Sequence, residues 1–87
     1  MQQVMASIAA IEDRVRIYII DSFLTEQDAA TFQNDADLLT MLDSLQILRM
    51  VIALEKDHGI KVDESELGPD TLGSVSKIAA FIARKQA

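Results

Sequence analysis

The apolar residues of the chain recur mainly at helical spacing. In residues 2–23 they stand three or four positions apart, which predicts a first amphipathic helix. The residues of this stripe are Val4, Ile8, Ile11, Val15 and Tyr18. A second helix is predicted over 44–58, because Gly59 suits the left-handed residue that commonly ends a helix. A third is predicted over about 74–85, with Val75, Ile78 and Ile82 facing inward.

The segments between these helices are polar. Residues 24–43 form a long connection for so small a domain, with one helical turn expected after Thr25. Four apolar side chains are expected to tuck under it: Phe23, Phe32, Leu38 and Leu39. A further single turn is expected over 64–68, stopped at Gly68-Pro69. We therefore predict one all-α domain over residues 1–87, a four-helix bundle of three main helices plus one short helix.

The second predicted helix carries two apolar faces. Ile47, Met50, Val51 and Leu54 form the expected core face. Leu45, Leu48 and Ile52 fall on another side, near Ser44. Three interpretations of this second stripe are open: the long connection covers it, a protein partner docks on it, or it forms the wall of a groove for an apolar cargo.

Charge and composition exclude several functions. The net charge of −6 argues against nucleic-acid binding, which needs a basic surface. The absence of cysteine excludes a disulfide framework and thiolate metal sites, and leaves the polypeptide without a thiol. Two segments contain acidic residues but no Lys or Arg, residues 21–43 and residues 63–70. Their negative charge either steers a basic partner or only keeps the surface solvated. No signal peptide or membrane span is evident, so we expect a cytoplasmic protein.

Ser44 is the candidate for chemistry. It begins an apolar helical run within Asp43-Ser44-Leu45, and a helix N-terminus favours a nearby anion. A phosphate-linked group could therefore be attached there, although Ser44 or Asp43 could also serve only as the helix N-cap. The single histidine, His58, is fourteen positions later and is expected at the helix C-terminus, in contact with the helix dipole. No nucleophile–base pair is evident, so a hydrolase is disfavoured.

The chain resembles the acyl carrier protein family over nearly its whole length. The matching segments are Asp43-Ser44-Leu45, Ala53-Leu54-Glu55, Gly59-Ile60-Lys61-Val62, Leu67, Thr71-Leu72-Gly73-Ser74-Val75, and the closing helix with Ile78, Phe81 and Ile82. The order of a helix, a long loop, a helix, a short helix and a final helix is also the order found in this family.

The resemblance implies a function. Ser44 is similar to the serine that carries 4′-phosphopantetheine, whose terminal thiol holds acyl groups as thioesters. The protein would then be a monomeric carrier and not an enzyme, with three expected partners: a phosphopantetheinyl transferase, an acyl- or aminoacyl-loading ligase and a downstream transferase. The positions similar to partner-facing ones are Asp43, Leu45, Leu48, Arg49 and Ile52.

The chain also departs from the family pattern. Met41 stands where many members have glycine, and Leu42 is more similar to peptidyl and D-alanyl carriers. Arg49 lies on a helix face that is usually acidic. These departures favour a specialised acyl or aminoacyl carrier outside bulk fatty acid synthesis. The alternative is a non-enzymatic helical adaptor that docks a protein partner through its second helix.

Overall fold

The structure, a computed structural model, describes residues 7–87. Its α-helices are α1 (Ile8–Phe23), α2 (Glu26–Thr31), α3 (Leu38–Met41), α4 (Ser44–His58), α5 (Pro69–Leu72) and α6 (Val75–Gln86), and a 3₁₀ helix spans Glu64–Glu66. Within residues 7–87 no strand is formed. The predicted all-α fold with three long helices is therefore confirmed, and the three long helices are α1, α4 and α6.

Helix α1 begins later than predicted. Ser7 has an extended backbone and caps the helix, because its hydroxyl accepts a hydrogen bond from the Ala10 N–H at 3.1 Å. The predicted residues 2–6, with Val4, lie outside the described part of the chain. Ile8 belongs to the predicted apolar stripe but is half exposed. The buried row is instead Ile11, Val15 and Ile19, spaced by four.

The long connection contains two short helices. The turn expected after Thr25 is confirmed as α2. Thr25 caps this helix, because its hydroxyl accepts a hydrogen bond from the Asp28 N–H at 3.0 Å. Helix α3 was not predicted, because four residues are too few for a periodic pattern. Phe32 and Leu38 are buried as expected, whereas Leu39 is 36% exposed and does not tuck under the connection.

The core lies between α1, α4 and α6, with α1 packed mainly on α6. Its buried residues are Ile11, Val15, Ile19, Phe32, Leu38, Leu42, Met50, Leu54, Leu72, Val75, Ile78, Ala79 and Ile82. The predicted inner stripe of α6 is thus confirmed. The predicted core face of α4 is also confirmed, with Met50 and Leu54 buried and Ile47 and Val51 at the border of the core.

The segment after α4 differs in one respect from the prediction. Gly59 ends α4 in the left-handed region with φ 65°, as expected. The turn expected before Gly68-Pro69 is confirmed as the 3₁₀ helix Glu64–Glu66. Pro69, however, also starts a helix that was not predicted. It occupies the first position of α5, where the missing proline N–H leaves no helical hydrogen bond unmade. Helix α5 places Leu72 in the core and leads directly into α6.

Candidate functional site

Asp43 and Gln46 form the start of α4. The Asp43 carboxylate accepts a hydrogen bond from the Gln46 N–H at 2.8 Å, and the Gln46 side-chain oxygen accepts from the Asp43 N–H at 2.9 Å. This reciprocal pair is a capping box. The sequence left open whether Asp43 or Ser44 is the N-cap, and the structure assigns the cap to Asp43. Gln46 was missed, although Asp followed by Gln three positions later is the usual signal for this motif.

Ser44 is the first residue of α4 and is exposed. Its hydroxyl makes no hydrogen bond to any residue from 7 to 87. The interpretation of Ser44 as only a helix cap is therefore wrong, because Asp43 performs that role.

Two backbone N–H groups beside that hydroxyl are also free. A helix leaves its first four N–H groups without helical partners. The capping box uses the N–H groups of Asp43 and Gln46, so those of Ser44 and Leu45 remain unbonded within the described chain. The positive end of the helix dipole lies at the same place. An exposed hydroxyl beside two free donors suits a covalently attached phosphodiester.

Hydrogen bonds to residues distant in sequence hold in place the chain segment that precedes Ser44. The Leu38 N–H at the start of α3 donates to the Gly73 carbonyl at 2.9 Å, and the Ser76 N–H donates to the Asn34 carbonyl at 3.0 Å. The Asn34 side-chain oxygen accepts from the Arg16 guanidinium at 3.0 Å. These bonds tie the connection before Ser44 to α1 and to the α5–α6 junction. No local pattern predicts them.

Close packing at Gly73 supports the same junction. A Cβ atom on Gly73 would overlap the carbonyl oxygen of Pro69, one turn earlier. Only glycine therefore lets the backbone turn from α5 into α6 at this point, where the Gly73 carbonyl also receives the Leu38 N–H.

The second apolar face of α4 is uncovered. Leu45, Leu48 and Ile52 are 57%, 55% and 55% exposed, so the interpretation that the long connection covers them is wrong. Asp43 and Arg49 are exposed as well. All the predicted partner-facing residues therefore lie at the surface, on α4 or at its N-terminal cap.

His58 lies far from Ser44. It is the last residue of a 15-residue helix, about 20 Å away at the usual rise per residue. Partial burial, and then the nearby Arg14 charge, lower the pKa of His58. The predicted location at the helix C-terminus is confirmed. The histidine is thus not a base for Ser44.

Two features that residues 7–87 lack bear on the class of site. Residues 7–87 hold no cluster of three or more His, Asp or Glu side chains placed to bind a metal ion. No helix in this part of the chain has the length and apolar character needed to cross a membrane. The fold and the site together define an attachment scaffold, in which an exposed helix-terminal hydroxyl lies beside an uncovered apolar face.

Comparison with known proteins agrees with this class. The family described as "Phosphopantetheine attachment site" matches residues 24–82. An acyl carrier protein from Akkermansia muciniphila is 34% identical over 79 residues, which cover 88% of this chain and 94% of that protein. The chain therefore belongs to the acyl carrier protein family. It is a carrier and not a catalyst, and its prosthetic group is 4′-phosphopantetheine.

Proposed function

We propose that Ser44 is the residue that carries 4′-phosphopantetheine, through a phosphodiester on its side-chain oxygen. The single observation that carries this proposal is the exposed Ser44 hydroxyl, unbonded at the first position of α4. The free N–H groups of Ser44 and Leu45 would donate to the phosphate oxygens. When bound, the prosthetic group supplies a thiol, which this cysteine-free chain lacks, and the thiol carries acyl groups as thioesters.

Three enzymes are proposed as partners: a phosphopantetheinyl transferase, an acyl- or aminoacyl-loading ligase and a downstream transferase. The proposed contact residues are Asp43, Leu45, Leu48, Arg49 and Ile52. Their exposure around Ser44 supports this, since an enzyme that reaches the Ser44 oxygen must also cover its neighbours. The proposal keeps the monomeric state and the cytoplasmic compartment expected from the sequence.

The proposed pathway is specialised and lies outside bulk fatty acid synthesis, with an acyl or aminoacyl cargo. The departures at Met41, Leu42 and Arg49 support this proposal. Intact mass spectrometry of the carrier purified from its source organism tests it, because the thioester-bound group adds its own mass. Recovery of only the common straight-chain fatty acyl groups would contradict the specialised role.

The attachment residue is tested separately. The apo protein is incubated with coenzyme A and several phosphopantetheinyl transferases, and its intact mass is measured. We expect the mass of one phosphopantetheine group to be added to the wild-type chain and to Ser22→Ala, an exposed control serine on α1. Ser44→Ala should gain nothing. A gain that survives Ser44→Ala, or no gain with any transferase, would refute the proposal.

The uncovered face of α4 favours one alternative, a helical adaptor that only docks a protein partner. In that case Ser44→Ala would preserve the function of the protein in its host, whereas Leu48→Asp or Ile52→Asp would abolish it. The carrier proposal instead requires Ser44→Ala to be inactive.

A further inference from the structure

The outward side of α4 is a continuous apolar strip. Leu45, Leu48 and Ile52 are spaced by three and four residues, and at 100° per residue they span an arc of about 60°. Each is more than half exposed. Three large aliphatic side chains aligned on one exposed helix face form a patch suited to protein docking. We call these three residues the α4 strip.

The charges that border this strip are cationic. Arg49 and Lys56 are both exposed and, seven residues apart, lie on the same edge of the strip beside Leu45 and Ile52. Neither forms an ion pair with any residue from 7 to 87. Both charges are therefore available to a partner.

No carboxylate of α4 lies on this edge of the strip. Glu55 lies beyond the opposite edge and is half buried, and its carboxylate accepts a hydrogen bond from the Val62 N–H at 2.8 Å. Asp57 projects to a different side, about 80° from Arg49. At the helix start, the Asp43 carboxylate is bonded to the Gln46 N–H. The two side chains that border this edge, Arg49 and Lys56, are thus opposite in sign to the net charge of −6.

We propose that the enzymes acting on Ser44 dock on the α4 strip with an apolar surface bordered by carboxylates, which face Arg49 and Lys56. This inference rests on the proposed function of Ser44. Charges in contact across an interface outweigh distant ones, because salt screens interactions beyond about 10 Å. Arg49 and Lys56, which border the strip, therefore favour carboxylates on this part of the partner surface.

The experiment uses the phosphopantetheinyl transferase of the source organism as the probe. Its kcat/KM with coenzyme A is measured for the wild-type chain, for Arg49→Glu/Lys56→Glu, and for the neutral Arg49→Gln/Lys56→Gln. Lys61→Glu, at an exposed lysine beyond α4, is the matched control. At low salt we expect the double Glu variant to lose about tenfold or more in kcat/KM. The double Gln variant should have a kcat/KM between those of the wild-type chain and the double Glu variant. The kcat/KM of Lys61→Glu should change less than about twofold.

The salt dependence gives a second readout. Added salt should lower kcat/KM for the wild-type chain and should have the opposite effect, or none, on the double Glu variant. Far-ultraviolet circular dichroism and complete modification at high transferase concentration check that each variant is folded. A double Glu variant modified as fast as the wild-type chain, or faster, overturns the inference.

Failure of the inference is distinguishable from failure of the proposed function. If the wild-type chain gains the phosphopantetheine mass on Ser44 and both double variants have the same kcat/KM as the wild-type chain, only the carboxylate-bordered partner is refuted. If the wild-type chain gains no mass on Ser44, the proposed function and this inference fall together.

Discussion

Asp43 and Gln46 each accept a hydrogen bond from the backbone N–H of the other, at 2.8 and 2.9 Å, and the hydroxyl of Ser44, which lies between them, makes no hydrogen bond to any residue from 7 to 87. The start of α4 is therefore rigid on both sides of an exposed hydroxyl. This arrangement separates two roles that the sequence left combined, since Asp43 stabilises the helix and Ser44 remains available for chemistry.

The first prediction concerns the cap. Asp43→Ala removes the acceptor for the Gln46 N–H and should lower the free energy of unfolding by about 0.5–2 kcal/mol. Asp43→Asn keeps a capping oxygen and should stay close to the wild-type value. Urea denaturation followed by circular dichroism measures both. Equal stability of the Ala and Asn variants would show that the cap contributes nothing.

The second prediction contrasts two serines at helix starts. Ser74 is 5% exposed, and its hydroxyl accepts a hydrogen bond from the Lys77 N–H at 3.1 Å, so Ser74→Ala should cost about 1 kcal/mol. Ser44→Ala should change the free energy of unfolding by less than about 0.5 kcal/mol, since its hydroxyl is exposed and unbonded. Thermal and urea unfolding of the two variants give the comparison. A large loss for Ser44→Ala would mean that its oxygen has a structural role.

The third prediction concerns Gly73. Gly73→Ala places a methyl group against the Pro69 carbonyl oxygen and should destabilise the fold by about 1–3 kcal/mol. Gly68→Ala is the matched control, because its Cβ would meet no atom within 4 Å. The control should lose clearly less free energy of unfolding than Gly73→Ala. A urea titration of both variants measures the difference. A Gly73→Ala variant no less stable than the control would show that the backbone at this junction shifts freely.

The fourth prediction follows from His58. Burial, and then Arg14, lower the pKa of His58 in the folded state below its ordinary value of 6.5. As the pH falls through about 6.5, the unfolded chain therefore takes up the proton more readily than the folded chain. The stability contributed by neutral His58 is complete above this pH and is lost as the pH falls towards the folded pKa.

The measurement is a series of urea midpoints between neutral and mildly acidic pH. In the plot of urea midpoint against pH, His58→Gln should remove the part of the slope that lies just below pH 6.5. The other groups with lowered pKa are carboxyls, Asp37 and Glu66, and these act below their ordinary values of 3.8 and 4.5. An unchanged slope in His58→Gln would contradict the assignment to this histidine.

Several features of the site could be predicted from local pattern alone. The spacing of Met50 and Leu54 predicts the buried side of α4, and Gly59 predicts its end. These predictions were confirmed because helix periodicity and end signals depend on residues within a few positions of one another. The capping partner Gln46 was available to the same reasoning and was overlooked.

Other features needed contacts that no local pattern encodes. Helix α3 is held in place by a hydrogen bond from the Leu38 N–H to the carbonyl of Gly73, which lies 35 residues further along the chain. Ile8 lies on the predicted stripe of α1 but is half exposed, while Ile19 is buried. Such outcomes depend on which neighbouring helix packs against each side chain, and this is decided only when the whole chain closes.

By itself, the sequence determined the all-α class, the three long helices and the position of Ser44 at a helix start, because short-range periodicity and end signals specify them. Only the tertiary structure decided that Asp43 caps α4, that the Ser44 hydroxyl makes no hydrogen bond within residues 7–87, and that Leu45, Leu48 and Ile52 face solvent. The physical reason is that the pattern of α4 predicts its core face but does not specify whether another segment of the chain covers its second apolar face. That depends on the path of the long connection, which buries Phe32 and Leu38 in the core and leaves Leu45, Leu48 and Ile52 exposed.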